Sequence, residues 1–307
     1  MTMAKPTAME RLSYGWRVLG LASGVLSARA RPAPRVADTN TTRHFNLMFN
    51  AALPPALERE RSELERFDLY LYDVMNSLRL EGQIVFEYGT LLAAIERWPG
   101  RRVLDIGTGR STFPTWMSTE GAVVTTLELS SPAERTWGGF QERVNGIVGR
   151  RGGAMREVTG SMRGLPFADA SFDLVTSLSV VEHLDTDLPE RTFVPYEEQQ
   201  RRLGQVLGEM IRVTTPGGCI YITSECCDFE RATTDGWKPA YYYDEGPALS
   251  GAWPVQDVPR LFYDYVAARG CTLVGGVQFA ASNIARNEYW TWRGPYFSGF
   301  SLLARKL

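Results

Sequence analysis

Residues 101–109 read RRVLDIGTG, a short apolar run that reaches an acid at Asp105 and then turns through two glycines. Glycine has no Cβ, so Gly107 and Gly109 allow a sharp turn and let backbone amides approach a ligand closely. The next such run, VVTTLEL, carries Glu128 near its end. An ionised carboxylate accepts two hydroxyl hydrogen bonds, which suits a ribose diol. The pattern therefore predicts a nucleotide-type ligand site at the ends of neighbouring strands.

The residues after Gly109 separate two cofactor families. The dinucleotide fingerprint G-x-G-x-x-G needs its third glycine where helix and strand pack closely. Here Thr112 stands at that position and is followed by Phe113 and Pro114. This bulk argues against a pyrophosphate at the helix N-terminus, while Ser111 or Thr112 can cap the helix. A dinucleotide-dependent oxidoreductase stays as the alternative from a different class.

Three further segments follow in the order and spacing of a known family. They are TLELS at 126–130, GSMRGLPFADASFDLVTSLSVVEHL at 160–184 and VTTPGGCIYIT at 213–223. Together with VLDIGTG, they make residues 82–307 resemble the class I S-adenosylmethionine-dependent methyltransferases, in the branch that modifies small molecules, lipids and glycans. The resemblance implies S-adenosyl-L-methionine as the cofactor.

The chain alternates strand and helix patterns, which predicts an α/β fold with a doubly wound sheet. We expect strands near 102–106, 122–128, 155–159, 172–178 and 218–224, and helices near 82–98, 112–120, 132–147, 196–213 and 255–269. The resemblance implies seven mostly parallel strands in the order 3-2-1-4-5-7-6, the last strand being antiparallel. Helical spacing over 54–80 predicts an N-terminal helical extension. We therefore expect a basic segment and linker at 1–43, a helical lid at 44–81 and a Rossmann-like methyltransferase domain at 82–307.

By the same resemblance, the cofactor lies across the glycine turn and the ends of the second, third and fourth strands. The implied cofactor-binding residues are Asp105, Gly107, Thr108, Gly109, Glu128, Leu129, Ser161, Met162, Ser177, Leu178 and Ser179. Asp105, Gly107 and Gly109 hold the methionine end, and Glu128 accepts hydrogen bonds from the ribose hydroxyls. Ser161 and Met162 stand where the family usually has an acid for the adenine amino group. Serine still accepts a hydrogen bond, and methionine lies well against an aromatic ring.

Methyl transfer is an in-line displacement in which the cofactor supplies the leaving group. The protein's own task is to position the acceptor and to remove a proton from it. His183 is the first candidate for that base because histidine titrates near neutral pH, and the alternative is that it caps or packs the turn. Glu182, Glu225 and Asp228 are further candidates at strand ends. No metal site is predicted.

The composition of the chain narrows the range of possible methyl acceptors. The 307 residues are 44% hydrophobic and 22% charged, and the formal net charge of −2 gives no general attraction to polyphosphate. Nucleic acid is therefore disfavoured. The leading hypothesis is methyl transfer to a small molecule, most simply to an oxygen of a sugar or another biosynthetic intermediate. Carbon or nitrogen acceptors, a lipid acceptor and a binding-only partner subunit stay open.

The N-terminal segment 1–43 carries seven Lys and Arg side chains against two acidic ones. A basic, partly apolar end of this kind suits contact with an anionic membrane or substrate, and the alternative is a tail or a helix packed on a neighbour. The run 18–28 followed by Ala28-Arg29-Ala30 resembles a secretory signal. Two glycines interrupt it, and the implied cofactor is made in the cytosol, so we expect a cytoplasmic protein.

The four cysteines support the same location. No C-x-x-C pair is formed by the four cysteines, which are Cys219, Cys226, Cys227 and Cys271. We expect them to be reduced and mostly buried thiols, as is usual in a reducing compartment.

Overall fold

The computed structural model describes residues 44–47, 81–95, 97–109, 111, 113–130, 154–184, 194–234, 242–243, 246–247, 252–279 and 296–307. The basic segment 1–43, most of the expected lid 44–81 and the expected helix 132–147 lie outside these residues. The description below concerns the remaining, central part of the chain.

Seven strands build the main sheet within the described residues. They are β1 Arg102–Ile106, β2 Val123–Glu128, β3 Ala154–Thr159, β4 Phe172–Leu178, β5 Thr214–Cys227, β6 Cys271–Leu273 and β7 Phe297–Lys306. Their order is 3-2-1-4-5-7-6. The first five pair in parallel, whereas β7 runs antiparallel to both β5 and β6. The predicted fold class and strand order are confirmed, and the parallel strands bring their carboxyl ends to one edge of the sheet.

Shorter strands lie around this sheet. Trp253–Pro254 pairs in parallel with the end of β5. His44–Leu47 pairs with Gly276–Gln278, and Tyr242–Tyr243 pairs with Gly246–Pro247.

The described helices are α1 Glu81–Ala94, α2 Phe113–Thr119, α3 Tyr196–Val213 and α4 Phe229–Thr234. The helix expected at 82–98 ends earlier, because the chain turns at Pro99 and at Gly100, which has a φ of +76°. The helix expected at 255–269 is a 3₁₀ turn followed by a π-helical stretch, Pro259–Asp264, and a last α-helical turn. Pro259 has no N–H to donate, so the hydrogen-bond pattern changes there.

Helices cover both faces of the sheet. Alternate strand residues point to opposite faces, so Val103 and Leu104 belong to different core clusters. On one face, Val103, Leu174 and Tyr221 pack with residues of α1 and α2. On the other face, the core joins β-strand residues to α3 and to the helical run 255–267. The result is a three-layer α/β domain whose carboxyl edge is left for a ligand.

The start of β5 differs from the sequence-based expectation. We expected the strand at 218–224, after a turn at Pro216 and two glycines. The structure instead pairs Phe172 with Thr214 and then Leu174 with Cys219, so residues 215–218 form a bulge within a longer strand. The left-handed φ of +76° at Gly217 makes this bulge possible.

Candidate active site

Asp105 is the fourth of the five residues of β1 and is buried. Its Oδ2 accepts a hydrogen bond from Thr108 Oγ1 at 2.6 Å, and its Oδ1 accepts one from Thr176 Oγ1, also at 2.6 Å. Both donors are neutral. Burial raises the pKa of Asp105 to about 6, although the two hydroxyl hydrogen bonds lower it. A positively charged ligand beside this carboxyl group would favour its ionised form.

Gly107 brings the turn after β1 against the segment after β4. Its φ is +71°, and a Cβ at this position would lie 2.5 Å from Val180 Cγ1. Its amide donates to the carbonyl oxygen of Leu127 at 2.8 Å, which ties the turn to β2. Only glycine meets both the left-handed conformation and this close approach. The turn is therefore held by a hydrogen bond to β2 and by close contact with Val180, which follows β4.

Glu128 stands over the glycine turn. It is partly buried at the end of β2, and its Oε1 accepts a hydrogen bond from the amide of Gly109, whose φ is +57°. Leu129 follows and exposes 47% of its surface. The structure thus brings the predicted ribose acid and the glycine turn into direct contact.

Aromatic rings pack against one another around the start of α2. Ser111 Oγ accepts from the amide of Phe113 at 3.1 Å, so Ser111 supplies the cap that its position predicted. Phe113 is fully buried and stacks between Tyr88 and Trp116, with ring centroids 4.5 Å and 5.6 Å away. Bulk therefore lies directly after the position at which a dinucleotide-binding turn needs its third glycine.

The loop after β3 carries Ser161 and Met162, both partly buried. Ser161 Oγ accepts from the amide of Arg163 at 3.2 Å, and Met162 packs against the core. Helix α3 holds the next part of the loop, because Glu209 Oε2 accepts from the amide of Leu165 at 2.7 Å. The Arg212 guanidinium hydrogen-bonds Glu209 and lowers the pKa of that carboxyl group. Leu165 and Phe167 pack with the core.

The end of β4 meets α1. Ser177 is fully buried, Leu178 is partly buried, and Ser179 has a left-handed φ of +51°. Ser179 Oγ donates a hydrogen bond to Oε1 of Glu87. Sequence reasoning missed Glu87, which is buried on α1. The available signal was its place between Phe86 and Tyr88 in a helix with few charged residues.

The three candidate bases lie in different environments. His183 ends the 3₁₀ turn Val181–His183 and is partly buried. Glu182 is buried and accepts from Ser224 Oγ at 2.7 Å. Glu225, also buried, follows Ser224 on β5, so it points to the opposite face of the sheet. Of these three residues, His183 is the one that is partly exposed.

Asp228, the fourth candidate, has a structural contact: its Oδ1 accepts from the amide of Arg231 at 3.1 Å, at the start of α4.

The described residues contain no group of three or more His, Cys, Asp or Glu placed to hold a metal ion. The four cysteines are free and buried, as their sequence context predicted. In the part of the chain that is described, no helix combines the length and apolarity needed to cross a bilayer.

Residues 104–222 match the family model described as a methyltransferase domain. This segment therefore belongs to the methyltransferase-domain family, and the strand order 3-2-1-4-5-7-6 is the one expected for class I S-adenosylmethionine-dependent methyltransferases. The class implies S-adenosyl-L-methionine as the cofactor. The site fits it, because the glycine turn leaves no room for a Cβ and a carboxylate stands at the end of β2.

Two curated relatives illustrate the similarity. The demethylmenaquinone methyltransferase of Mycobacterium sp. (strain KMS) is 28% identical over 174 residues, which cover 55% of this chain and 60% of the relative. The enzyme of the same name from Thermobifida fusca (strain YX) is 29% identical over 163 residues, covering 52% and 56%. The chain thus matches less than two thirds of the length of these relatives.

Among solved structures, a S-adenosylmethionine-dependent methyltransferase from Methanosarcina mazei is 16% identical, with a TM-score of 0.44. The alignment covers 68% of this chain and 93% of that one.

Proposed function

We propose that this protein transfers the methyl group of S-adenosylmethionine to a small-molecule acceptor. The observation that carries the proposal is the contact between the Glu128 carboxylate and the Gly109 amide over a turn that only glycine can form. When bound, the cofactor supplies an electrophilic methyl group on a good leaving group. The protein's residues bind it, orient the acceptor and move one proton.

The proposed cofactor contacts follow the strand order along the carboxyl edge. Ser161 and Met162, after β3, serve the adenine, and Glu128 and Leu129, after β2, serve the adenosine ribose. Asp105 near the end of β1, with Gly107, Thr108 and Gly109 after it, serves the methionine end, and Ser177, Leu178 and Ser179, at the end of β4, lie beside the sulfonium that joins the ribose to the methionine end. An extended ligand that lies across neighbouring strand ends suits the edge of an open parallel sheet.

His183 is the proposed base, with Glu182 and Glu225 as the buried alternatives. It would take the proton of an acceptor hydroxyl, and the electron pair left on the oxygen would displace the methyl group from the sulfur, which keeps the pair of the broken carbon–sulfur bond. Its partly buried turn supports this role, because a base needs contact with the acceptor as well as a suitable pKa.

We propose an oxygen of a sugar or another biosynthetic intermediate as the first acceptor class. A second class is a ring carbon of a hydroxylated aromatic such as demethylmenaquinol, which the names of the curated relatives favour. Removing the hydroxyl proton would activate either atom, because the charge of a phenolate is shared with the ring carbon beside it.

The test combines binding with transfer. Calorimetry should detect S-adenosylmethionine binding to the full chain, and Glu128→Ala should weaken it by roughly 10-fold or more, the loss expected for hydrogen bonds to a charged group. Labelled S-adenosylmethionine is then offered with separated small polar metabolites, lipids, glycans, protein and nucleic acid, and with demethylmenaquinol.

Label in small metabolites, glycans or the quinol supports the proposal and selects the acceptor class. Label confined to protein or nucleic acid contradicts it, as does unchanged affinity in Glu128→Ala. Binding without transfer to any fraction would favour a binding-only partner subunit.

We also propose that the protein works in the cytoplasm, where this cofactor is made, and that the basic segment 1–43 contacts an anionic surface. The segment's excess of Lys and Arg supports the second proposal. A vesicle-sedimentation comparison of the full chain with a variant lacking residues 1–43 tests it, because only the full chain should sediment with anionic vesicles.

A further inference from the structure

We propose that Glu87 of α1 is a cofactor-binding residue that holds the α-ammonium group at the methionine end of S-adenosylmethionine. The inference rests on the proposed function, because it needs this cofactor in the site. It adds a residue that lies outside the segment 104–222 matched by the family model.

Glu87 is held at the sheet edge by two strands. Its side chain exposes only 7% of its surface, and its Oε1 accepts the hydroxyl hydrogen of Ser179 from the end of β4. Its main-chain oxygen accepts from the Tyr221 hydroxyl of β5 at 2.8 Å. A carboxylate that is removed from water and fixed from both sides is positioned to receive a donor with little loss of freedom.

Ser179 adopts a conformation that needs support. A left-handed φ costs a non-glycine residue about 1 kcal/mol or more, and such residues cluster at functional sites. The Ser179 amide donates to Thr223 twice, to its carbonyl oxygen at 3.0 Å and to its hydroxyl at 3.2 Å. Thr223 lies on β5, the neighbouring strand, and holds Ser179 in the turn from which the Ser179 hydroxyl reaches Glu87.

The position of Glu87 along the edge selects the part of the ligand. Glu128, the proposed ribose acid, stands at the end of β2, and the glycine turn follows β1. An extended ligand that continues in the same direction next reaches β4, which pairs with β1 on the side away from β2. Glu87 lies there beside Ser179, on the side of the ribose site away from the adenine, so it faces the sulfur and amino acid portion of the cofactor.

Two carboxyl groups then serve this end. Asp105 and Thr176 follow Val103 and Leu174 by two positions, which places them on the face that packs with α1. Asp105 is held by neutral hydroxyls, whereas an α-ammonium group brings a positive charge and three N–H donors. An ammonium group stabilises a buried carboxylate more strongly than neutral hydroxyl groups do, because its hydrogen bonds to the carboxylate are charge-assisted.

The experiment uses two ligands that differ only in this portion of the molecule. S-Adenosylhomocysteine keeps the amino acid, whereas 5′-methylthioadenosine keeps the adenine, ribose and sulfur but lacks the ammonium and carboxylate. Calorimetry is performed on the full chain, on Glu87→Gln and on the control Glu197→Gln, whose side chain is exposed in the first turn of α3. Glutamine can still accept from Ser179, so the variant removes the charge and little else.

We expect Glu87→Gln to weaken S-adenosylhomocysteine binding by about 10-fold or more, the range for a charge-assisted hydrogen bond, and to leave 5′-methylthioadenosine binding unchanged. The control should match the unaltered protein with both ligands. Ser179→Ala keeps the charge and removes only the hydroxyl that orients it, so a smaller loss, again confined to S-adenosylhomocysteine, is expected. Melting temperatures of all variants are recorded alongside.

Equal losses for both ligands would overturn the inference, because they would indicate a general distortion of the site. Unchanged affinities would overturn it as well, and a loss of transfer activity with both affinities intact would assign Glu87 to the acceptor instead. These results leave the proposed function standing. An unaltered protein that binds neither ligand would overturn the proposed function itself, and this inference with it.

Discussion

Ionisation of the buried Asp105 lowers the stability of the folded protein. Its folded-state pKa of about 6 lies above the ordinary value of 3.8, because burial disfavours the carboxylate. As pH rises from about 4 to about 6, the unfolded chain releases this proton first, so the folded state loses stability, by roughly 3 kcal/mol in total. We expect Asp105→Asn to be more stable than the unaltered protein at pH 8, and this gain to vanish near pH 4. Urea unfolding at both pH values measures it.

Asp173 provides the control of opposite sign. Its carboxylate pairs with the Arg102 guanidinium at 2.7 Å, and this hydrogen bond lowers the pKa of Asp173. The stability that the pair contributes is present above the ordinary pKa and is lost as pH falls through the folded-state value. Asp173→Asn should therefore be destabilising at pH 8. Equal effects of the two substitutions at pH 8 would contradict the account of Asp105.

The strands were predicted more accurately than the helices, because their signal is local. Apolar runs bounded by Gly, Asp or Ser place β1 and β4 at the expected residues. The beginning of β5 depends on the pairing of Phe172 with Thr214, which no local pattern contains. Likewise, the π-helical stretch Pro259–Asp264 has ordinary helical spacing in the sequence, and only its backbone geometry distinguishes it.

The junction between α3 and β5 gives a test at the level of these elements. Lys306 of β7 donates from Nζ to the carbonyl oxygens of Ile211 and Thr214, each at 2.8 Å. These are carbonyls at the end of α3, where no further helical N–H follows. We expect Lys306→Met to lower the free energy of unfolding by roughly 1 to 3 kcal/mol, the cost of leaving such groups unsatisfied.

Arg305→Met is the matched control, because the neighbouring side chain is exposed on the same strand. It should change the unfolding free energy by less than about 0.5 kcal/mol, as is usual for surface substitutions. If the two variants lose equal stability, the carbonyl contacts of Lys306 do not contribute as proposed.

The complete molecule assembles a site that no single segment contains. The sequence sufficed to propose Gly107, Gly109 and Glu128 as cofactor-binding residues, because a glycine turn and an acid at a strand end suit a nucleotide-type ligand. It could not select Glu87, whose contact with Ser179 joins residues 92 positions apart and depends on how α1 packs on the sheet. Its place between two aromatic residues of α1 does not by itself indicate a ligand site, and only the fold brings it to the end of β4 and against Tyr221 of β5.

Because β1, β2, β4 and α1 all contribute to this site, cofactor binding should stabilise the folded domain as a unit. At 100 times its Kd, a ligand that binds only the folded state adds about 2.7 kcal/mol, which corresponds to a rise of roughly 4 °C in Tm for a chain of this size. We expect that rise with S-adenosylhomocysteine, measured by calorimetric melting, and a much smaller one in Glu128→Ala at the same ligand concentration. An equal rise in both proteins would mean that the ligand binds elsewhere, since the substitution removes the carboxylate that stands over the glycine turn.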